Sequence, residues 1–242
     1  MDITSDTHSQ HISRQFNNEL EDLKNHLMAM GGLVEKQVQD AVNALLEGDS
    51  ALAQKVNEQD RTVNDMQIKI DEECTRVLAH RQPAASDLRL VLAVTRAVSD
   101  LERIGDEATK IARNAMSLSE SGNGKKGFVE VRHISERVRH MVRDSLTSFA
   151  RFDVELALKV VHEDEAVDSE YTSAMRSLMT FMMEDPRSIT SVLSVMWVLR
   201  ALERIGDHAN NLAEYVIYLV KGLDIRHVNP DDLDEEALKT PR

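Results

Sequence analysis

The chain of 242 residues is poor in glycine, proline and cysteine, with nine, four and one of them respectively. Turns between strands depend heavily on glycine and proline, so this composition argues against a many-stranded β protein. The single cysteine, Cys74, cannot form a disulfide within the chain or a zinc site built from several thiolates, which fits a reducing compartment. Composition therefore favours an all-α protein.

Basic residues are also scarce, because 29 Lys and Arg face 42 Asp and Glu and give a formal net charge of −13. Such a surface repels phosphate backbones, so we expect no nucleic-acid partner. Long apolar runs are missing as well. The longest uncharged run near the end, residues 188–199, has 12 residues, whereas a membrane span needs ~20. The polar opening MDITSDTHSQ lacks the apolar core of a signal peptide. We expect a cytoplasmic protein that contacts a membrane only through partners.

Apolar residues recur at three- and four-residue steps in six long stretches, which is the spacing of a helix with one buried face. These stretches cover residues 16–45, 52–77, 88–118, 131–149, 156–178 and 192–219. Asp49 or Ser50 is placed to cap the second helix, and Pro83 and Pro186 follow the second and fifth. The pattern predicts six long helices.

The two halves of the chain are related to each other. The segment LERIGD at 101–106 recurs letter for letter at 202–207, and earlier positions match at an offset of 104, as in Asp60 and Asp164. Each half is then a three-helix unit, and the chain is a tandem duplication. The predicted parts are a flexible N-terminus (1–10), a first three-helix bundle (11–119), a Gly-rich linker (120–127), a second three-helix bundle (128–221) and an acidic, mostly mobile tail (222–242).

Acidic residues four positions apart leave the same face of a helix. Glu102 and Asp106 have this spacing, and Glu203 and Asp207 repeat it. A solvated pair of this kind costs about 0.2–0.5 kcal/mol, and a buried one costs several. A bound cation would reverse that repulsion, and carboxylate oxygens suit Mg, Mn and iron. Asp164 and Asp168 form a further pair.

A simpler interpretation is a solvated acidic face whose carboxylates are neutralised by Arg103 or Arg204. The glycines Gly105 and Gly206 lie inside both motifs. A glycine within a helix costs about 1 kcal/mol relative to alanine, so we expect another helix to approach closely there.

The two LERIGD segments, the tandem three-helix halves, the length and the opening HISRQFNNEL (11–20) together resemble the PhoU family over about residues 10–220. The resemblance implies a repeated E(D)xxxD motif that binds metal clusters. The motif falls in full on the three acidic pairs above, while Asn64, Lys36 and His140 replace acids elsewhere. The resulting predicted ligands are Asp40, Asp60, Glu102, Asp106, Asp144, Asp164, Asp168, Glu203 and Asp207.

The resemblance further implies a cytoplasmic negative regulator of the phosphate-starvation (Pho) regulon that is not an enzyme. Such a regulator links the phosphate ABC transporter, through its ATPase subunit, to the sensor histidine kinase, and it forms homodimers. The family's metals are divalent or trivalent ions of the Mg, Mn or Fe class.

Two other interpretations remain open. A helical adaptor without metal would need only a docking surface. A di-iron enzyme would need Glu-x-x-His on two helices, and the chain offers one match, Glu130 with His133.

Overall fold

The computed structural model describes residues 4–81, 83–121, 128–226 and 228, with the side chains of 4–14, 120, 121 and 128 left out. Within these ranges the chain contains helices and no strand, which confirms the predicted all-α class. The helices are α1 (Thr4–Glu47), α2 (Ser50–Arg81), α3 (Ala85–Ser121), α4 (Phe128–Arg151), α5 (Val154–Glu184) and α6 (Ile189–Lys221), with a 3-10 turn at Pro186–Ser188 before α6. No helix in the described ranges is long and apolar enough to cross a membrane.

Matching turns begin the second helix of each half. The Asp49 carboxylate accepts hydrogen bonds from the backbone N–H groups of Ala51 (3.0 Å) and Leu52 (2.9 Å). Its counterpart Asp153 accepts one from the Leu156 N–H at 3.0 Å. The residue before each cap has a left-handed backbone conformation, with φ +73° at Gly48 and φ 56° at Phe152. This conformation costs a non-glycine residue such as Phe152 about 1–2 kcal/mol. The Lys24 ammonium lies over the Phe152 ring, 4.4 Å from its centre. Of the two predicted caps, Asp49 and Ser50, Asp49 is therefore the one that caps α2.

Each half packs as a three-helix bundle, α1–α3 and α4–α6. The apolar stripes predicted from the sequence point inward. Leu101 and Leu202 are both 0% exposed, as are Ile104 and Ile205 in the following turn. The LERIGD segments therefore lie on the third helix of each bundle, with their leucine and isoleucine in the core.

The two bundles also pack against each other, which the sequence did not predict. Helix α3 lies along α6 as extensively as along α1, and α1 touches α4. The buried Asp100 carboxylate accepts hydrogen bonds from three α6 side chains, His208 (2.7 Å), Asn211 (3.1 Å) and Tyr215 (2.7 Å). Arg204 of α6 pairs with the buried Glu107 of α3 at 2.8 Å. The chain is therefore one packed unit rather than two tethered bundles.

Three predicted segments fall at the limits of the described residues. Helix α1 begins at Thr4, inside the range assigned to a flexible N-terminus (1–10). Within the predicted linker 120–127, Ser121 ends α3, and residues 122–127 lie outside the described residues. In the predicted tail, Gly222 caps α6 with φ 74° and Ile225 is buried, whereas 227 and 229–242 lie outside them.

Candidate metal centre

Two carboxylate clusters occupy equivalent places in the two halves. The first-repeat site lies between α2 and α3, with α1 beside it, and the second-repeat site lies between α5 and α6, with α4 beside it. We define the first-repeat site by Gln37, Asp60, Asn64, Glu102 and Asp106, and the second-repeat site by Asp164, Asp168, Glu203 and Asp207.

In the second-repeat site the oxygens converge. Asp168, Glu203 and Asp207 each offer one carboxylate oxygen, and these oxygens lie within 4.8 Å of one another. Glu203 is only 9% exposed, and Arg200 donates a hydrogen bond to its Oε1 at 2.6 Å. Its Oε2 is buried and has no hydrogen-bond partner among the described residues. A carboxylate oxygen in this position is free to bind a cation.

Burial and mutual repulsion in this site change the acidity of its members. Burial, followed by the charges of Asp207, Asp168 and Glu203, raises the pKa of Asp164 to about 7. Burial also raises the pKa of Asp207, with Asp168 as the next cause, and that of Glu203, with Asp207 as the next cause. Burial disfavours the charged form of each carboxyl, and the neighbouring negative charges add to that effect. A bound cation would favour the charged form and so oppose both effects.

The first-repeat site shows the same effect with fewer acids. Burial and the charge of Asp106 raise the pKa of both Asp60 and Glu102. The Asn64 amide donates to Asp60 Oδ2 at 3.3 Å. Three buried oxygens, Gln37 Oε1, Asp60 Oδ1 and Asn64 Oδ1, lack a hydrogen-bond partner within the described part of the chain. Buried polar oxygens are normally paired, so this site has acceptors in excess.

The close approach expected at both LERIGD glycines is found at Gly105, whereas Gly206 has space for a methyl group at ordinary contact distances. A Cβ at Gly105 would lie 3.2 Å from Gln37 Oε1 and 3.9 Å from Asp60 Oδ1. A Cβ at Gly206 would lie 3.6 Å from Asp164 Oδ1. The neighbouring helices thus bring polar oxygens, and not only apolar packing, against the two glycines.

Of the nine predicted ligands, Asp168, Glu203 and Asp207 have carboxylate oxygens close enough together to share an ion, and Asp60, Glu102 and Asp106 form no such group of three within the described part of the chain. Asp40 and Asp144 form ion pairs with lysines. Lys36 pairs with Asp40 at 2.9 Å, and Lys159 pairs with Asp144 at 3.4 Å. His140, the other candidate on α4, is exposed and lines a cleft of about 320 Å³ with Asp144 and Lys159.

The arginine assignment needs correction. Arg103 Nε lies 3.7 Å from Glu102 Oε2, as the solvated interpretation requires. In the second half, however, Arg200 is the partner of Glu203, and Arg204 crosses to Glu107 of α3. Adjacent helix residues do not face each other, whereas residues three apart do, so spacing alone favoured Arg200.

Gln37 is the site residue that the sequence analysis missed. The acidic motif contains only carboxylates, whereas Gln37 is a neutral residue on α1 whose amide oxygen could bind a metal. The available signal was a polar residue within an apolar stripe, between the buried Val34 and Ala41 and next to Val38.

The donor chemistry fits the ions expected from the sequence. The second-repeat site offers carboxylate oxygens, and the first-repeat site combines carboxylate oxygens with the amide oxygens of Gln37 and Asn64. Such oxygens are the ligands of Mg and Mn and also serve iron. A di-iron enzyme of the type considered above requires histidines that these sites lack in the described chain. Glu130 and His133 instead line a separate cleft of about 270 Å³ with Glu170, and His208 donates to Asp100.

Fold and sites define an all-α protein made of two homologous three-helix repeats, each with acidic side chains gathered between its second and third helices. The family model described as the PhoU domain matches residues 27–115 and 131–216, which correspond to the two repeats. The chain belongs to the PhoU family.

Individual relatives agree with this assignment. The phosphate-specific transport system accessory protein PhoU homolog of Pseudomonas putida is 62% identical over 238 residues, covering 98% of this chain and 93% of that protein. The PhoU protein of Escherichia coli (strain K12) is 46% identical over 227 residues and 94% of each chain. The crystal structure of PhoU from Pseudomonas aeruginosa superposes with a TM-score of 0.85 at 61% identity, covering 86% of this chain and all (100%) of that one.

Proposed function

We propose that this protein is a cytoplasmic accessory regulator of phosphate transport that keeps the phosphate-starvation regulon off when phosphate is plentiful. The observation that carries the proposal is the 62% identity over nearly the whole chain to a protein named as a phosphate-specific transport system accessory protein. The match includes both repeats, so it extends to the whole architecture described above.

The regulator acts by contact between the ATPase subunit of the phosphate ABC transporter and the sensor histidine kinase, and it has no catalytic activity of its own. Its relatives are named as accessory proteins rather than as enzymes. Long helices suit this role because an exposed helix face can bind a partner helix. The active form in this proposal is a homodimer, for which light scattering during gel filtration is the test.

We propose further that both sites bind divalent or trivalent metal ions of the Mg, Mn or Fe class. Asp164, Asp168, Glu203 and Asp207 would hold the ion in the second repeat. Asp60, Glu102 and Asp106 would do so in the first. A bound cation supplies positive charge that neutralises the clustered carboxylates. The protein's part is to hold oxygens from two helices together, α2 with α3 and α5 with α6.

The test uses alkaline phosphatase as a reporter in a phosphate-rich host that lacks its own regulator. The host expresses this protein, a site variant or a control variant at equal abundance. The site variant carries E102A, D106A, E203A and D207A. The control removes the same charge from four exposed acids, with E21A, D65A, E72A and E136A.

We expect the unmodified protein and the control to silence the reporter and the site variant to fail. If the unmodified protein does not silence it, the regulatory proposal is wrong. If all three silence it, the carboxylate sites are dispensable for signalling, and the metal-free adaptor is the better description. Metal content of the purified site variant, measured by mass spectrometry, then shows separately whether these carboxylates bind metal.

A further inference from the structure

The two sites share an origin, but their side chains differ. We propose that the amide oxygen of Gln37 is a metal ligand of the first-repeat site, and that this site binds one divalent cation more weakly than the second-repeat site binds its ions. The inference rests on the metal binding proposed above. It adds a ligand outside the acidic motif and predicts two distinct classes of site.

The position of the Gln37 side chain carries the proposal. Gln37 is 0% exposed although it is polar. Its Nε2 donates a hydrogen bond to the backbone carbonyl of Val56 at 3.3 Å. This bond fixes which way the amide faces, because reversing it would bring two carbonyl oxygens together. Oε1 is therefore directed away from Val56, and it has no hydrogen-bond partner in the part of the chain that the structure describes.

The unpaired oxygen is directed toward the carboxylates. Gln37 Oε1 and Asp60 Oδ1 lie 3.2 Å and 3.9 Å from the Cβ position of Gly105, the residue immediately before the site residue Asp106. Burial raises the pKa of Asp60, and a hydrogen bond with the Gln37 side chain partly opposes that rise, so the Gln37 amide lies beside this carboxyl. Asp60 Oδ1 and Asn64 Oδ1 are likewise unpaired within the described residues. Gln37 Oε1 from α1 and Asp60 Oδ1 from α2 are thus two unpaired acceptor oxygens beside the same turn of α3, and a cation is a group that such acceptors bind.

The second repeat has a different residue at the equivalent place. Met141, which matches Gln37 at the offset of 104, puts its Cε 3.8 Å from the Cβ position of Gly206. A thioether is a poor ligand for hard cations. Asp168 also replaces Asn64, so the second-repeat site has four carboxylates, whereas the first has three and two amides. Ligand charge governs cation affinity in oxygen sites, so the first-repeat site is the weaker one.

Titration of the metal-stripped full chain with Mn²⁺ tests the inference, with free Mn²⁺ counted by electron paramagnetic resonance. We expect two classes of site in the unmodified protein, with the weaker class lost in E102A/D106A. In Q37M the weaker class should lose affinity about tenfold or more, since even outer partners of metal ligands contribute about 10–100-fold. The tighter class should be unchanged. M141Q, the reverse exchange, is the matched control and should leave the weaker class unaffected.

A second variant, Q37E, keeps the side-chain length and adds a charge, so it should tighten the weaker class about tenfold. Q37E decides the question if Q37M does not fold, as judged by circular dichroism. The assignment of Gln37 is overturned if the titration curves of Q37M and Q37E superpose on the curve of the unmodified protein. In that case, loss of the weaker class in E102A/D106A would still support the proposed metal binding at the first-repeat site. If the unmodified protein binds no Mn²⁺ at millimolar concentration, metal binding itself is refuted and the Gln37 ligand with it.

Discussion

Replacing Asp164 by asparagine should stabilise the metal-free protein at neutral and alkaline pH. Asp164 is partly buried among Asp168, Glu203 and Asp207, whose charges together with burial raise its pKa from 3.8 to about 7. In the unfolded chain the same carboxyl loses its proton near pH 4. Between these two values the folded state holds a proton that the unfolded state has released. Stability therefore falls as pH rises from about 4 to about 7, and it stays low above that range.

The shift from 3.8 to about 7 corresponds to about 4 kcal/mol at about 1.4 kcal/mol per pH unit if solvent had no access to the group. Partial exposure of Asp164 screens the repulsion, so we expect about 2 kcal/mol. For a chain of this length that is about 4–8 °C in melting temperature. Asparagine is nearly isosteric with aspartate and carries no charge, so it removes this penalty without creating a cavity.

The assay is thermal unfolding of chelator-treated protein at several pH values between 5 and 8. D164N should melt higher than the unmodified protein at pH 8 and about equally at pH 5. D65N, at an exposed position on α2, is the control for removal of one charge. Saturating Mn²⁺ should stabilise the unmodified protein more than D164N. The reasoning is refuted if D164N melts no higher than D65N at pH 8 without metal.

Four further substitutions test the packing, each by urea unfolding against the unmodified chain. D100A removes the acceptor of three hydrogen bonds from α6, including the one from Tyr215, and should lower the free energy of unfolding by about 3 kcal/mol. A decrease below about 1 kcal/mol would mean that these hydrogen bonds contribute little to stability. G206A should raise the free energy of unfolding by about 1 kcal/mol through helix propensity, because the nearest atom to its Cβ lies at an ordinary 3.6 Å. G105A should raise it by less, because its Cβ would meet Gln37 Oε1 at 3.2 Å. Equal increases would contradict the close approach at Gly105. L202D places a charge at a position that is 0% exposed and should abolish cooperative unfolding at neutral pH; a normal transition would show that the helix phase is wrong.

Local and periodic features could be predicted from the sequence. The helices follow from apolar spacing, and the Asp49 cap follows from residue type and position. The clustering of Glu203 with Asp207 follows from their four-residue spacing on α6. Asp168 was predicted as a ligand from its four-residue spacing to Asp164 and from the family motif. These features depend on residue spacing within one helix or on the internal duplication, and both can be recognised in the amino-acid sequence.

Contacts between distant segments could not be predicted in the same way. The pairing of α3 with α6 depends on how the two bundles pack against each other. The apolar spacing within either helix does not indicate which residues contact Asp100. Gln37 was missed because its role arises from an unpaired oxygen, which only the three-dimensional arrangement reveals. The hydrogen bond to the Val56 carbonyl is what directs that oxygen into the site.

The surroundings of the LERIGD segments limit which of their letters can change. Elsewhere the copies have drifted apart, as Gln37 and Met141 show. In LERIGD the leucine and isoleucine of both copies are fully buried in the core, and the two acids of the second copy belong to its site. Arg204 is held by Glu107 of the other repeat, whereas Arg103 is exposed and Gly206 has space for a methyl group. A recent duplication is therefore unnecessary to explain the match at the buried positions, because most substitutions there would disrupt the core.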